Sequence, residues 1–208
     1  MIQGLYAITP SGLEENDLLT KTEVLLKEGI KLIQYRDKIL DKKTLQEKAH
    51  ALLKLTKKYG AKLVINDHVE ICLEISADGF HLGLEDYSSE GNVDLLKKNK
   101  EFISKNLICG LSCKWNKELV INPPENEIKW TYLAVGSFYP SNTKLTIPET
   151  NENVKGKFLS YTDKPLVAIG GINKKNIGEV KSLGYSCFAL SEALFNNPKQ
   201  VLNEYKKL

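Results

Sequence analysis

The sequence predicts an α/β fold, a closed (β/α)8 TIM barrel formed by residues 1–208 as a single domain. Three observations lead there. Short β-rich runs alternate with longer amphipathic runs from end to end, which is the signature of a parallel sheet with crossover helices. The strand candidates number eight. The chemically unusual residues fall at or just past the carboxyl ends of those strands, where a barrel gathers them at one mouth. An open doubly wound sheet is the alternative, but it does not bring all eight strand ends together.

The elements follow in order. The first strand covers 4–9, and Asn16 or Asp17 then opens a helix through Leu18, Leu25 and Leu26 that Gly29 ends. The second strand covers 31–35. Leu45, Ala49, Leu52, Leu53 and Thr56 recur at helical spacing after it, with Asp41 placed to cap and Gly60 to stop. The third and fourth strands cover 62–65 and 79–82, with a segment starting at His68 between them. A less regular helical segment, 88–100, leads to a strand at 107–110, and a short one, 115–121, is cut off by Pro123-Pro124. The sixth strand covers 132–135, and residues 145–164 carry little apolar periodicity. Strand 165–169, helix 173–183, strand 186–190 and helix 198–205 complete the series.

Composition excludes other classes. Forty-two per cent hydrophobic residues are enough for a core and too many for a disordered chain. The net charge is +3, with lysines interleaved among acids, which is the pattern of solvated helix faces rather than of a nucleic-acid stripe. No apolar run approaches the ~20 residues that cross a bilayer, and the start at Met1-Ile2-Gln3-Gly4 lacks the pattern of a signal peptide. The expectation is a cytoplasmic protein without nucleic-acid or membrane partners. Cys72, Cys109, Cys113 and Cys187 form no C-x-x-C pair, so reduced structural thiols are expected. Of 29 basic residues, Arg36 alone is arginine.

Candidate chemistry begins at the end of the second strand, Gln34-Tyr35-Arg36-Asp37-Lys38. Alternation sends Gln34 and Arg36 to one side and Tyr35 to the other, so a guanidinium fork, an amide and the nearby Lys38 can grip a diphosphate. A surface cluster with Arg36 paired to Asp37 is the plainer reading. Asn66-Asp67 and Asp86 follow the third and fourth strands. Two carboxylates from neighbouring strand ends suit Mg²⁺, whereas singly Asp67 is readable as a helix N-cap and Asp86 as a turn residue. The loop Gly136–Lys144 offers Ser141, Asn142 and Thr143 as donors and ends in Lys144. Gly170-Gly171 and Leu190-Ser191 follow strands seven and eight, where barrels commonly cradle a phosphate. His81 reads as an inward-pointing barrel residue rather than a general base. Ser112 has no G-x-S-x-G elbow, and Trp115 and Trp130 read as packing.

In order, the blocks Leu5-Tyr6-Ala7-Ile8-Thr9, Gln34 to Lys38, Ile65-Asn66-Asp67, Asp78 to Asp86, Gly110-Leu111-Ser112, Ala134 to Gly136 with Thr143-Lys144, and Ala168 to Ile172 resemble the thiamine phosphate synthase family across the whole chain. The resemblance implies a transferase of thiamine biosynthesis. Such an enzyme joins a hydroxymethylpyrimidine diphosphate to a thiazole phosphate, or to its carboxylated form, and releases pyrophosphate through a pyrimidine cation. It implies that Gln34, Tyr35, Arg36, Asp37, Lys38, Asn66, Ser112 and Lys144 bind the pyrimidine diphosphate, with Arg36, Lys38 and Lys144 stabilising the leaving group. It further implies Mg²⁺ at Asp67 and Asp86, thiazole phosphate at Ser141, Asn142, Thr143, Gly170, Gly171, Leu190 and Ser191, and a homodimer.

The chain departs from the family pattern at Cys113-Lys114, at His68 and at Leu145-Thr146-Ile147-Pro148. Two other functions fit the same barrel. A thiazole tautomerase would be an isomerase needing no metal, and Asp86 and Lys144 argue against it. A catalytically silent barrel that binds thiazole or thiamine phosphate is separable by turnover alone.

Overall fold

Eight strands pair in parallel, each with the next in sequence and the last with the first, so the sheet closes on itself. They are β1 (Gly4–Ile8), β2 (Leu32–Tyr35), β3 (Lys62–Asn66), β4 (Gly79–Leu82), β5 (Ile108–Ser112), β6 (Tyr132–Val135), β7 (Leu166–Ile169) and β8 (Cys187–Leu190). This computed structural model describes residues 2–124, 128–141 and 147–208. Each strand lies within about two residues of its expected range, with β5 running on to Ser112.

The two-residue period of the strands divides the core in two. Tyr6, Leu32, Val64, Tyr132, Ala134, Val167 and Cys187 point inward and fill the barrel. Ile33, Tyr35, Ile65, Phe80, Leu111 and Leu133 point outward and pack under the helices. The register puts Gln34 opposite Val64, and His81 opposite Gly110, which pairs in turn with Tyr132.

The helices are α1 (Glu15–Lys27), α2 (Lys42–Lys58), α3 (Val69–Glu74), α4 (Leu84–Tyr87), α5 (Glu90–Lys98), α6 (Lys100–Asn106), α7 (Lys117–Ile121), α8 (Glu152–Lys157), α9 (Ile177–Ser182), α10 (Glu192–Asn196) and α11 (Pro198–Lys206). The long α2 forms as its periodicity predicts. Asp41 caps it by accepting from the Thr44 N–H at 3.1 Å, and Leu45, Ala49, Leu52 and Leu53 are buried against the sheet. Segment 88–100 becomes two helices, α5 and α6, because the chain turns at Asn99. Between residue 147 and β7 the chain gives only α8 and a 3₁₀ turn, Phe158–Tyr161. These bury Lys155 and Phe158 rather than an apolar stripe, which is why periodicity did not mark them.

The four cysteines are reduced and buried, and burial pushes each thiol up to about 12. They pack as small apolar groups and carry no nucleophilic role at neutral pH. Among the described residues no helix is long and apolar enough to cross a membrane.

Candidate active site

The carboxyl ends of the strands open into one cavity of about 350 Å³. From the β2 end, Gln34, Arg36 and Lys38 line it. Thr9 brackets the backbone of Arg36: its Oγ1 accepts from the Arg36 N–H at 2.9 Å and donates to the Arg36 carbonyl at 3.0 Å. The guanidinium touches Ser11 Oγ only loosely, at 3.4 Å.

Tyr35 and Asp37, which the resemblance counts among the diphosphate-binding positions, are not among the residues that line this cavity. Tyr35 is on the outward face of β2 in the layer under the helices. Asp37 is buried and accepts from the N–H groups of Gly12 at 2.9 Å and Ile39 at 3.1 Å. It ties the loop after β1 to the loop after β2. Arg36 is therefore not neutralised by its neighbour.

Asp67 and Asp86 both line the cavity. Asp67 is not a helix cap: α3 starts without a side-chain cap bond. Its backbone is left-handed, with φ 63°, uncommon for a residue with a side chain. Its carboxylate meets Lys38 Nζ at 2.9 Å. Asp86 accepts loosely from the Gly83 N–H at 3.3 Å. Burial, and then the neighbouring Asp67 carboxylate, hold Asp86 above the usual carboxylate range. Two carboxylates that resist sharing a site offer the hard oxygen set that Mg²⁺ prefers. One or two protein carboxylates suffice when substrate phosphates and water complete the octahedron. Among the described residues no cluster of three or more metal-type side chains exists.

The opposite side of the cavity is built for close approach. Gly170 and Gly171 have φ of 101° and 65°, and a side chain at 170 would collide with Ser137 and at 171 with the Tyr139–Pro140 backbone. Asn173 and Asn176 hold the turn by donating to the Gly171 carbonyl at 3.0 and 3.1 Å. Ser191 precedes α10, and its buried Oγ has no protein hydrogen-bond partner among the described residues. A buried hydroxyl left without a partner at a cavity wall is a ready donor to a ligand oxygen. Asn66, Ser112, Ser141 and Leu190 also line the cavity. Asn142, Thr143 and Lys144 lie outside the described residues.

Residues 5–194 match the family model described as thiamine monophosphate synthase. The chain belongs to this family. It is 36% identical over 195 residues to a thiamine-phosphate synthase of Nitrosospira multiformis, covering 93% of this chain and 79% of that protein. It is 36% identical over 187 residues to one of Dictyoglomus turgidum, covering 88% and 76%. The thiamine phosphate pyrophosphorylase of Pyrococcus furiosus is a structural neighbour with TM-score 0.76 and 27% identity, covering 99% of this chain and 96% of that one.

Residue reasoning had missed part of this mouth. Asn92 of α5 donates to the backbone carbonyls of both Asp86, at 2.7 Å, and Asp67, at 3.3 Å, and so ties the two carboxylate loops together. Asparagine within a helical segment gave no signal, because its partners lie on other elements. Lys114 lines the cavity from a left-handed position, φ 52°. The sequence marks it as a departure from the family pattern, standing where the tautomerase branch has a histidine, and here it puts a further cation at the mouth. His81 points inward as expected, and its ring is buried.

Proposed function

We propose that this mouth binds an aminopyrimidine-methyl diphosphate and a thiazole phosphate side by side and joins them to thiamine phosphate with release of pyrophosphate. One observation carries the reading: a single cavity has an end lined by Arg36, Lys38, Asp67 and Asp86 and another walled by Gly170, Gly171 and the unpartnered Ser191 hydroxyl. Two anions of different size are what such a mouth accommodates.

Asp67 and Asp86 would hold Mg²⁺. The ion would neutralise the charge that grows on the departing pyrophosphate oxygens. Arg36 offers a bidentate fork to the same oxygens, and Lys38, 2.9 Å from Asp67, adds a point charge beside them. These interactions strengthen as the carbon–oxygen bond breaks, so they favour the transition state over the bound substrate. Asn66 and Ser112 flank the pyrimidine, and Gln34 offers it an amide. The Gly170-Gly171 amides and Ser191 fix the thiazole phosphate, which sets the ring nitrogen against the electron-poor methylene carbon. No side chain acts as a nucleophile: binding geometry replaces a covalent intermediate.

The purified chain, supplied with both substrates and Mg²⁺, is expected to form thiamine phosphate and pyrophosphate in equal amounts, with neither formed when one substrate is withheld. Absence of both products, or pyrophosphate release by hydrolysis alone, overturns the proposal.

A further inference from the structure

Beneath the mouth, four buried polar side chains from four strands bond head to tail. Gln34 Nε2 donates to Tyr6 Oη at 2.9 Å, Tyr6 Oη meets Tyr132 Oη at 2.9 Å, and Tyr132 Oη meets His81 Nδ1 at 2.9 Å. Gln34 and His81 line the cavity, whereas Tyr6 and Tyr132, 1% and 0% exposed, lie beneath it. The chain thus crosses the barrel interior from β2 through β1 and β6 to β4.

The crossing depends on one glycine. β5 separates β4 from β6, and a Cβ at Gly110 would collide with the Tyr132 hydroxyl and His81 Nδ1. With no side chain there, the Tyr132 ring stacks on the His81 ring at 5.6 Å and 15°. Tyr6 meets Tyr132 edge-on at 87°.

We propose that Gln34, Tyr6, Tyr132 and His81 act as one polarised hydrogen-bond relay that fixes the Gln34 amide and the His81 tautomer together, as a positioning device for the pyrimidine half of the site. The choice of substrate half rests on the function proposed above; the relay itself does not.

A phenol carries one hydrogen, so a tyrosine between two partners donates to one and accepts from the other. With the Gln34 N–H donating to Tyr6, the Tyr6 hydroxyl must donate to Tyr132 and the Tyr132 hydroxyl to His81 Nδ1. His81 then carries its proton on Nε2, and the Gln34 carbonyl turns away from Tyr6. Reversing any one bond alone leaves a hydroxyl hydrogen without an acceptor, or two acceptors facing each other with no hydrogen between them, in a dry interior where an unmade bond is costly. Burial raises both tyrosines far above their ordinary range, so each hydroxyl keeps its hydrogen at any working pH. The amide that faces an aminopyrimidine edge is therefore held through Tyr6 and Tyr132, which lie beneath the cavity and do not line it.

The test uses the full chain with ¹⁵N-labelled histidine. With three histidines in all, the His81→Asn spectrum assigns the His81 signals. The expected result in the wild type is an unprotonated, hydrogen-bonded Nδ1 and a protonated Nε2, with the Nδ1 signal moving in Tyr132→Phe. A protonated Nδ1, two exchanging tautomers, or a signal unmoved by Tyr132→Phe overturns the relay. In kinetics, Tyr6→Phe is expected to raise KM for the pyrimidine diphosphate about five- to tenfold and leave KM for the thiazole phosphate unchanged. Tyr132→Phe and Gln34→Ala, which are joined only through the Tyr6 hydroxyl, are expected to be non-additive in that KM. Additive effects, or an equal rise in both KM values, overturn the positioning role. An inactive wild type overturns the proposed function, and the nitrogen spectra still decide the relay.

Discussion

Arg36→Lys separates charge from geometry at the only arginine in the chain. The backbone of residue 36 is held from both sides by Thr9 Oγ1, at 2.9 and 3.0 Å, and these bonds do not involve the side chain. The guanidinium itself makes one 3.4 Å contact with Ser11 and, among the described residues, no ion pair with a carboxylate. Stability should therefore change by no more than about 0.5 kcal/mol, the usual range for such a substitution, or about 2 °C in a chain of this size. Against a diphosphate the fork would make two charge-assisted bonds and lysine one. Losing a bond of about 1.5–3 kcal/mol lowers kcat/KM roughly 10- to 150-fold. If the bond strengthens as charge leaves, kcat falls with kcat/KM, whereas a loss confined to KM means uniform binding. The assay is steady-state pyrophosphate release with each substrate varied in turn, beside a thermal melt. Wild-type kinetics would refute the reasoning, and so would a Tm drop large enough to account for the lost activity.

Ser191→Ala removes a buried hydroxyl that has no protein partner among the described residues, so the melt should hold or rise slightly while KM for the thiazole phosphate increases about five- to tenfold. An unchanged KM would detach Ser191 from the phosphate. Gly171→Ala adds a Cβ at φ 65° against the Tyr139–Pro140 backbone, and a loss of about 2–4 kcal/mol by denaturant unfolding is expected. For Asp86, burial and Asp67 raise the folded-state value above the unfolded one. Its contribution to stability is thus fully present below the ordinary carboxylate range and is lost as pH rises through the raised value. Without metal, Asp86→Asn should therefore melt higher than the wild type at mildly alkaline pH, and the difference should shrink in acid. Excess Mg²⁺ should raise the melting temperature of the wild type and not of the variant; an equal rise in both refutes the metal assignment.

Much of the mouth was legible because a barrel turns position along a strand into position in space. Gln34, Arg36, Asn66, Asp67, Asp86 and Ser112 sit at or just past strand ends, and closure brings those ends together whatever the loops do. Tyr35 shows the same rule from the other side. It was counted with its neighbours by resemblance, although alternation already turned it outward, and in the structure it packs under the helices. Asp37 was not separable this way, because its partners Gly12 and Ile39 are set by loop conformation. The region after 147 was opaque for a different reason: α8 buries Lys155 instead of an apolar stripe, with its ammonium 4.9 Å from the centre of the Tyr139 ring.

The sequence by itself determined the order of strands and helices, their inward and outward faces, and the end of the barrel where chemistry gathers. Those are set by period and by neighbours a few residues away, which any stretch of chain carries with it. Only the tertiary structure decided which distant groups meet. The left-handed turn at Asp67 brings it beside Asp86, Asn92 laces their loops, and the hydroxyls of Tyr6 and Tyr132 touch across 126 residues of chain. Such contacts exist because eight strands close on themselves and because Gly110 leaves a gap in β5. Neither side of such a contact carries any local trace of the other.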